Sequence, residues 1–420
     1  MLFHEATLAD GRVRDVRIEG ESIAEVGTGL ETDGKTIDAD GKLLLPGMID
    51  AHVHFREPGF PHKETWETGS RSAAAGGVTT VFDQSNTDPA TVDADGYERK
   101  AELARPSIVD YAINGGVTAD WKPAEILAKP LGALGELFLA DSTGEMGIDT
   151  DRFEEAVERA AAADVPVTVH AEDATRFDRS VTDRTDADAW SAYRTPEAEI
   201  RAIEHACRVA NDLGSSVHIA HTSTPEGVDT ASAAGVTCEA TPHHLFLSRA
   251  DLEDLGTFGR MNPPLRSETR RKGMFRRLAD GEVDIVATDH APHTLEEKDA
   301  DIWDAPSGVP GVETALPLLL EAARNDRLDY ERVRDVTARN VADIFGLERK
   351  GHIEAGMDAD LVLVDPDDPT PIRGETLHSK CEWTPFEGRN GVFPELTAVR
   401  GTVVFHDGTF TDAPGRNVRR

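Results

Sequence analysis

One alternation constrains this chain more than anything else: a short apolar run followed by a longer helix-like stretch, repeated eight times. The first run opens at Met48. The others lie at residues 78–83, 108–113, 136–140, 165–170, 216–221, 236–240 and 283–288. They are short, rich in β-branched residues and bounded by polar or Gly-containing segments, which is the signature of buried strands. Between them lie helix formers, among them residues 67–75, 151–161 and 196–206. Eight such repeats predict an α/β fold built on a closed (β/α)8 barrel, a TIM barrel, rather than an open doubly wound sheet. No Gly-rich dinucleotide fingerprint follows the first strand, which further disfavours the open sheet.

The two ends have a different texture. Residues 12–18 and 22–26 alternate like short strands before a turn at 38–42. Residues 359–364 and 396–405 do the same at the far end, where Asp407-Gly408 is a hairpin signal. The termini are therefore expected to assemble one small β-sandwich, from residues 1–47 plus 351–420, beside a catalytic barrel of residues 48–350.

With 39% hydrophobic residues the chain can bury a core, yet no apolar run reaches membrane-spanning length and the first residues lack a basic flank. A cytoplasmic protein without a membrane partner is expected. Three widely spaced cysteines (Cys207, Cys238, Cys381) speak against a disulfide framework and against a Cys-based zinc site. The charge is extreme: 78 acidic against 44 basic residues, a formal net charge of −34. No basic stripe offsets this field, so nucleic acid is excluded as a partner. The acids are dispersed and Lys is scarce relative to Arg, a surface resembling that of proteins from salt-loving organisms, where salt screens self-repulsion.

Barrel active sites lie at the C-terminal ends of the strands. Here those ends carry His52 and His54 on strand one, His170 on strand five, His221 on strand six and Asp289 on strand eight. His52 and His54, two residues apart, share one strand face. Any one of these residues alone would read as a satisfied loop histidine or a helix cap; their coincidence at one end of one barrel indicates a metal site. Four histidines and an aspartate suit one or two Zn2+ ions, with two favoured. Asp289 would ligate metal and also exchange a proton with the attacking water.

These residues also carry a resemblance. The HxH, the two later histidines and the aspartate together resemble the amidohydrolase superfamily, and within it the dihydroorotases. Asp50-Ala-His-Val-His-Phe-Arg-Glu-Pro-Gly59 and Ala287-Thr-Asp-His-Ala-Pro-His293 are similar to that family's two signatures. Phe82-Asp-Gln-Ser-Asn-Thr-Asp-Pro89 and Met261-Asn-Pro-Pro-Leu-Arg266 are similar to two of its loops. The likeness spans nearly the whole chain. It implies a small-molecule substrate: reversible closure of N-carbamoyl-L-aspartate to dihydroorotate, a step of pyrimidine synthesis. In that reaction Arg56 would grip the substrate carboxylate with a planar fork, and Asn86, Asn262 and His293 would match other substrate contacts. Some relatives are homo-oligomers or work with a transcarbamoylase, and the resemblance extends to those partners.

One departure stands out. Many amidohydrolases bridge two metals with a carboxylated Lys at the end of strand four, and this chain has none there. Asp141 is the first candidate to replace it, Glu136 the second because it sits inside the expected strand, and Lys129 precedes the strand. His243 and His244 match no ligand position and read as loop residues. Residues 294–308 read either as a lid that excludes water or as a solvated surface loop. A hydantoinase or allantoinase would share the metal ligands but lack the cation at Arg56. A barrel that had lost its chemistry would have lost ligands that are retained here.

Overall fold

The computed structural model describes residues 1–140 and 146–419. Eight parallel strands form the barrel: Met48–Val53, Val78–Asp83, Asp110–Ile113, Leu134–Phe138, Val167–His170, His218–Ile219, Thr237–Ala240 and Ile285–Val286. The first three pair in order, as do the last five. Parallel bridges Gly115–Leu134 and Val53–His290 join the two groups and close the ring. Every residue of strands one to three is buried, as expected for a parallel sheet covered on both faces.

The helices lie where the sequence places them, with longer ends. Trp66–Ala75, Thr150–Ala162 and Pro196–Asp212 replace the shorter expected spans. The last shows why they form. Thr195 caps the N-terminus through its side chain, Pro196 sits in the first turn, and Ala198, Ala202, Ile203, Ala206, Val209 and Ala210 make one buried stripe. Beneath the site the barrel interior is filled by Ile49, Ala51, Phe82, Ala112, Ile285 and Phe345. It is a packed core, not a pore.

Both termini contribute to one nine-stranded sheet. The N-terminal strands Leu2–Leu8 and Leu43–Pro46 pair in parallel, and Leu43–Pro46 pairs antiparallel with Leu361–Val364 from the far end. Phe3, Val16, Ile18, Leu44, Leu361, Leu363 and Leu396 share its apolar core. The stretch 396–405 is not one strand. Arg400 and Gly401 both adopt positive φ (44° and 73°), and they turn Pro394–Val399 back onto Thr402–His406 as a tight hairpin. The second hairpin turn, at Asp407-Gly408, is where the sequence predicts it.

A buried ionic cluster ties this sheet to the barrel floor. Lys350 Nζ lies 2.9 Å from Asp110 of strand three and also contacts Asp360, while the Arg400 amide donates to Asp360 at 2.7 Å. Residues 416–418 then run under the barrel. Arg416 O accepts from the Tyr111 amide and the Val418 amide donates to Tyr111 O.

Candidate active site

The strand ends deliver four histidines to one point, and a carboxylate from inside strand four stands between them. Glu136 Oε1 is 3.5 Å from His52 Nε2 and 3.8 Å from His54 Nε2. Its other oxygen, Oε2, is 3.5 Å from His170 Nδ1 and 2.9 Å from His221 Nε2. Glu136 therefore belongs to two groups of potential ligand atoms, one with His52 and His54, the other with His170 and His221. Asp289 Oδ1 joins the first group, 3.0 Å from His54 Nε2 and 3.5 Å from His52 Nε2.

The strand boundary explains why the sequence ranks Glu136 second. Strand four runs Leu134–Phe138, two residues earlier than expected, so Glu136 lies at its middle, with its side chain in the barrel among the histidines. Asp141, the first candidate, lies outside the described residues.

The histidines are held in defined roles by partners on their other nitrogen. His52 Nδ1 is 2.7 Å from Glu239 and His54 Nδ1 is 2.7 Å from Asn86 Oδ1. His170 Nε2 is 2.9 Å from Glu172, which Arg194 grips with two nitrogens. Each partner is an acceptor, so the proton sits on that nitrogen and the lone pair of the other faces the centre. The buried His52 Nε2 has no hydrogen-bond partner of its own among the described residues. A buried nitrogen without a partner is costly, and a cation between the two groups would satisfy it. The donor set of imidazole and carboxylate suits zinc. The residues fit the metal.

Electrostatics agree. Burial opposes charge on Glu136 and Asp289, but the surrounding histidines outweigh it and hold both carboxyls below the usual carboxylate range. Asp50, buried between strands one and eight, accepts from the Thr288 amide at 3.0 Å and hydroxyl at 2.6 Å and from the His52 amide at 3.2 Å. Burial pushes its pKa up to about 6. Asp50 thus locks the strand carrying His52 to the strand carrying Asp289.

A narrow pocket of about 20 Å³ opens over the cluster, lined in part by His54, Arg56, Asn86, Asn262 and Asp289. Arg56 does not arrive by continued strand geometry. Strand one ends at Val53, and Arg56 takes a left-handed φ of 65° that turns its side chain back into the pocket. There Nε donates to Pro292 O at 3.1 Å and Nη2 lies 3.1 Å from His293 Nε2. Burial lowers its pKa to about 10, so it remains a cation at neutral pH. Glu57 is no partner; its carboxylate accepts from the Trp66 amide instead. Asn262 Oδ1 accepts from Trp190 Nε1 at 2.9 Å.

Two readings of loops need correction. His243 and His244 sit on a short helix, Pro242–Phe246, and His244 Nε2 lies 2.9 Å from Pro263 O, beside Asn262. Residues 294–308 are neither free nor merely solvated. Lys298 is fully buried and its ammonium donates to the carbonyls of Arg260, Pro306 and Gly308 at 3.0–3.2 Å. Trp303 Nε1 adds a bond to Arg184 O. This segment is a bolted wall of the pocket.

Sequence reasoning missed Glu239, Glu172 and Asp50. A signal existed: a charge inside an apolar run, as in Val236-Thr-Cys-Glu-Ala240, is too costly to bury without a task.

The chain matches the amidohydrolase family over residues 43–404. It is 67% identical to a dihydroorotase of Halobacterium salinarum, each covered in full. It is 44% identical to a dihydroorotase of Methanosarcina acetivorans, over 96% of this chain and 91% of that one. Among solved structures, the L-hydantoinase (dihydropyrimidinase) of Arthrobacter aurescens superposes with a TM-score of 0.94 at 29% identity, covering 99% of this chain and 98% of that one.

Proposed function

The chain belongs to the amidohydrolase family, and from that premise we propose that it is a zinc-dependent dihydroorotase, closing N-carbamoyl-L-aspartate to dihydroorotate and water and reopening it. The observation that carries this choice over other cyclic amide hydrolases is Arg56. It is a buried cation opening on the same pocket as the histidine cluster, with no carboxylate within ion-pair distance among the described residues. A cation so placed calls for an anionic substrate, and a ring carboxylate supplies that charge. Two relatives bearing the dihydroorotase name over nearly the full chain support the same choice.

His52, His54, His170, His221 and Asp289 would hold two zinc ions, with Glu136 rather than Asp141 bridging them. Bound there, zinc would polarise the ring carbonyl and lower the pKa of water. Asp289, kept ionised by its histidine neighbours, takes the proton from the attacking water and delivers it to the leaving ring nitrogen. In the synthetic direction the order reverses. Arg56 and His293 bind the substrate carboxylate, which fixes the ring over the cluster. Asn86 orients His54, and Asn262 borders the ring from the strand-seven loop. The wall at 294–308 shields the pocket from water on one side.

Residues 1–47 plus 351–420 form one sandwich-like domain in this reading, and 48–350 the catalytic barrel. Among the described residues no helix is long and apolar enough to cross a membrane, which accords with work in the cytoplasm. Self-association and docking to a transcarbamoylase also belong to this reading, and particle mass measured in high salt tests both. The test of function is turnover of dihydroorotate in high salt, compared with hydantoin and allantoin and with a chelator-treated sample. Faster turnover of either other ring, or full activity after metal removal, would overturn the proposal.

A further inference from the structure

His293 stands just behind the pocket lining, its Nε2 against Ser307 and beside Arg56, which both line it, and an imidazole can donate there only if the proton is on the correct nitrogen. Three contacts bear on that. Lys63 Nζ lies 3.1 Å from His293 Nδ1. An ammonium has donors and no acceptor, so Nδ1 must offer its lone pair. Ser307 O lies 3.0 Å from Nε2, and a carbonyl can only accept, so Nε2 must carry the hydrogen. Arg56 Nη2, 3.1 Å from the same Nε2, cannot then donate to it. Its hydrogen stays available for a ligand.

We propose that Lys63 is a positioning residue for substrate specificity: by donating to Nδ1 it fixes His293 as an Nε2–H donor, so that His293 and Arg56 together present hydrogens to the substrate carboxylate. The proposal rests on the dihydroorotase reading only for the identity of that carboxylate. Lys63 does not line the pocket itself. It is anchored by Glu297, 3.0 Å away, whose carboxylate also accepts from the Thr294 amide at the start of the helix Leu295–Lys298. When substrate enters, the Nε2 hydrogen passes from Ser307 O to the carboxylate, and no proton changes owner.

The charged groups facing His293 are Arg56 from the strand-one loop, Lys63 from the segment that follows it, and Glu297 and Lys298 from the helix. Burial and the three cations push its pKa down to about 3, against Glu297 alone. The imidazole is therefore neutral, and its tautomer matters. Removing Lys63 takes away one cation and the donor on Nδ1, leaving Glu297 Oε2 at 3.7 Å from that nitrogen. The pKa of His293 rises, and the neutral form is free to place its proton on Nδ1.

Two measurements test this. Nitrogen-15 spectra of histidine-labelled enzyme, with His293 identified by the signal lost in His293→Gln, read the tautomer without any substrate. Nε2–H is expected in the wild type and in Lys63→Arg, and a tautomer mixture in Lys63→Met. A wild-type Nδ1–H form overturns the proposal whatever the substrate is. In turnover of dihydroorotate, Lys63→Met is expected to raise KM roughly fivefold, the scale of one hydrogen bond, with kcat within about twofold. The KM ratio of Lys63→Met to wild type should shrink as pH falls, because an imidazolium donates from both nitrogens. In a His293→Ala background, Lys63→Met should change nothing further. An equal loss in that background, or a pH-independent ratio, overturns the proposal. Absence of any turnover by the wild type would count against the dihydroorotase reading and leave the spectral test decisive for Lys63.

Discussion

The two ends of the barrel both bury charged groups, and they treat them in opposite ways. At the floor, Lys350 lies between Asp110 and Asp360, and Arg400 contacts the same Asp110. Cations and carboxylates there answer one another directly. At the mouth, His52, His54, His170 and His221 converge on Glu136, Asp289 stands against His52 and His54, and Arg56 has no carboxylate within ion-pair distance among the described residues. At the floor each of these cations lies against a carboxylate of the same chain, though Arg400 Nε finds no hydrogen-bond partner among the described residues. At the mouth the unpartnered His52 Nε2 and the unpaired Arg56 leave places that a cation and an anion would fill. A buried cluster that closes on itself holds two parts of a fold together; one that leaves matched demands unmet is built for what it binds.

That contrast can be broken by substitution. The largest effect belongs at the mouth. Asp289→Asn should cut kcat by about 10²–10⁴, the usual range for a general acid–base group and more if metal is also lost, while the unfolding midpoint in high salt stays near wild type. Retained turnover would remove Asp289 from the mechanism. At the floor the expectation inverts. Lys350→Met removes the cation shared by Asp110 and Asp360, leaving Arg400 on Asp110, and should cost about 3 kcal/mol in denaturant unfolding, with KM for dihydroorotate unchanged. A fall in affinity without a fall in stability would erase the distinction between the two ends. Arg56→Ala should be smaller. Loss of a charged hydrogen bond costs about 1.5–3 kcal/mol, read as a rise in KM of roughly tenfold or more with metal content intact. An unchanged KM and kcat would refute its role in holding the carboxylate.

Much of the mouth is legible in the sequence because its ligands follow apolar runs directly. His170 ends its strand, whereas His221 and Asp289 follow theirs by two and three residues in left-handed conformations (φ 34° and 47°), so the apolar runs, not strand periodicity, mark them. Glu136 is harder to place because it reaches the site from the middle of its strand rather than from the strand end, and a two-residue shift in the boundary hides that position. Arg56 reaches the pocket by a route no strand pattern encodes: the strand stops at Val53, and a left-handed turn delivers the guanidinium. Glu239 and Glu172 went unread because the task of orienting a histidine depends on contacts between strands, which no single run of sequence contains. The floor was less legible still. Lys350, Asp110 and Asp360 are far apart in the chain, and only the joining of both termini into one sheet brings them together.

In the proposed function Glu136 would serve both pairs of histidines as a shared metal ligand. Metal content per chain, measured after dialysis against zinc in high salt, tests that proposal most directly. The wild type and Asp141→Asn should each retain two zinc ions, and Glu136→Gln one or none. Two ions retained by Glu136→Gln, with loss in Asp141→Asn, would contradict the account.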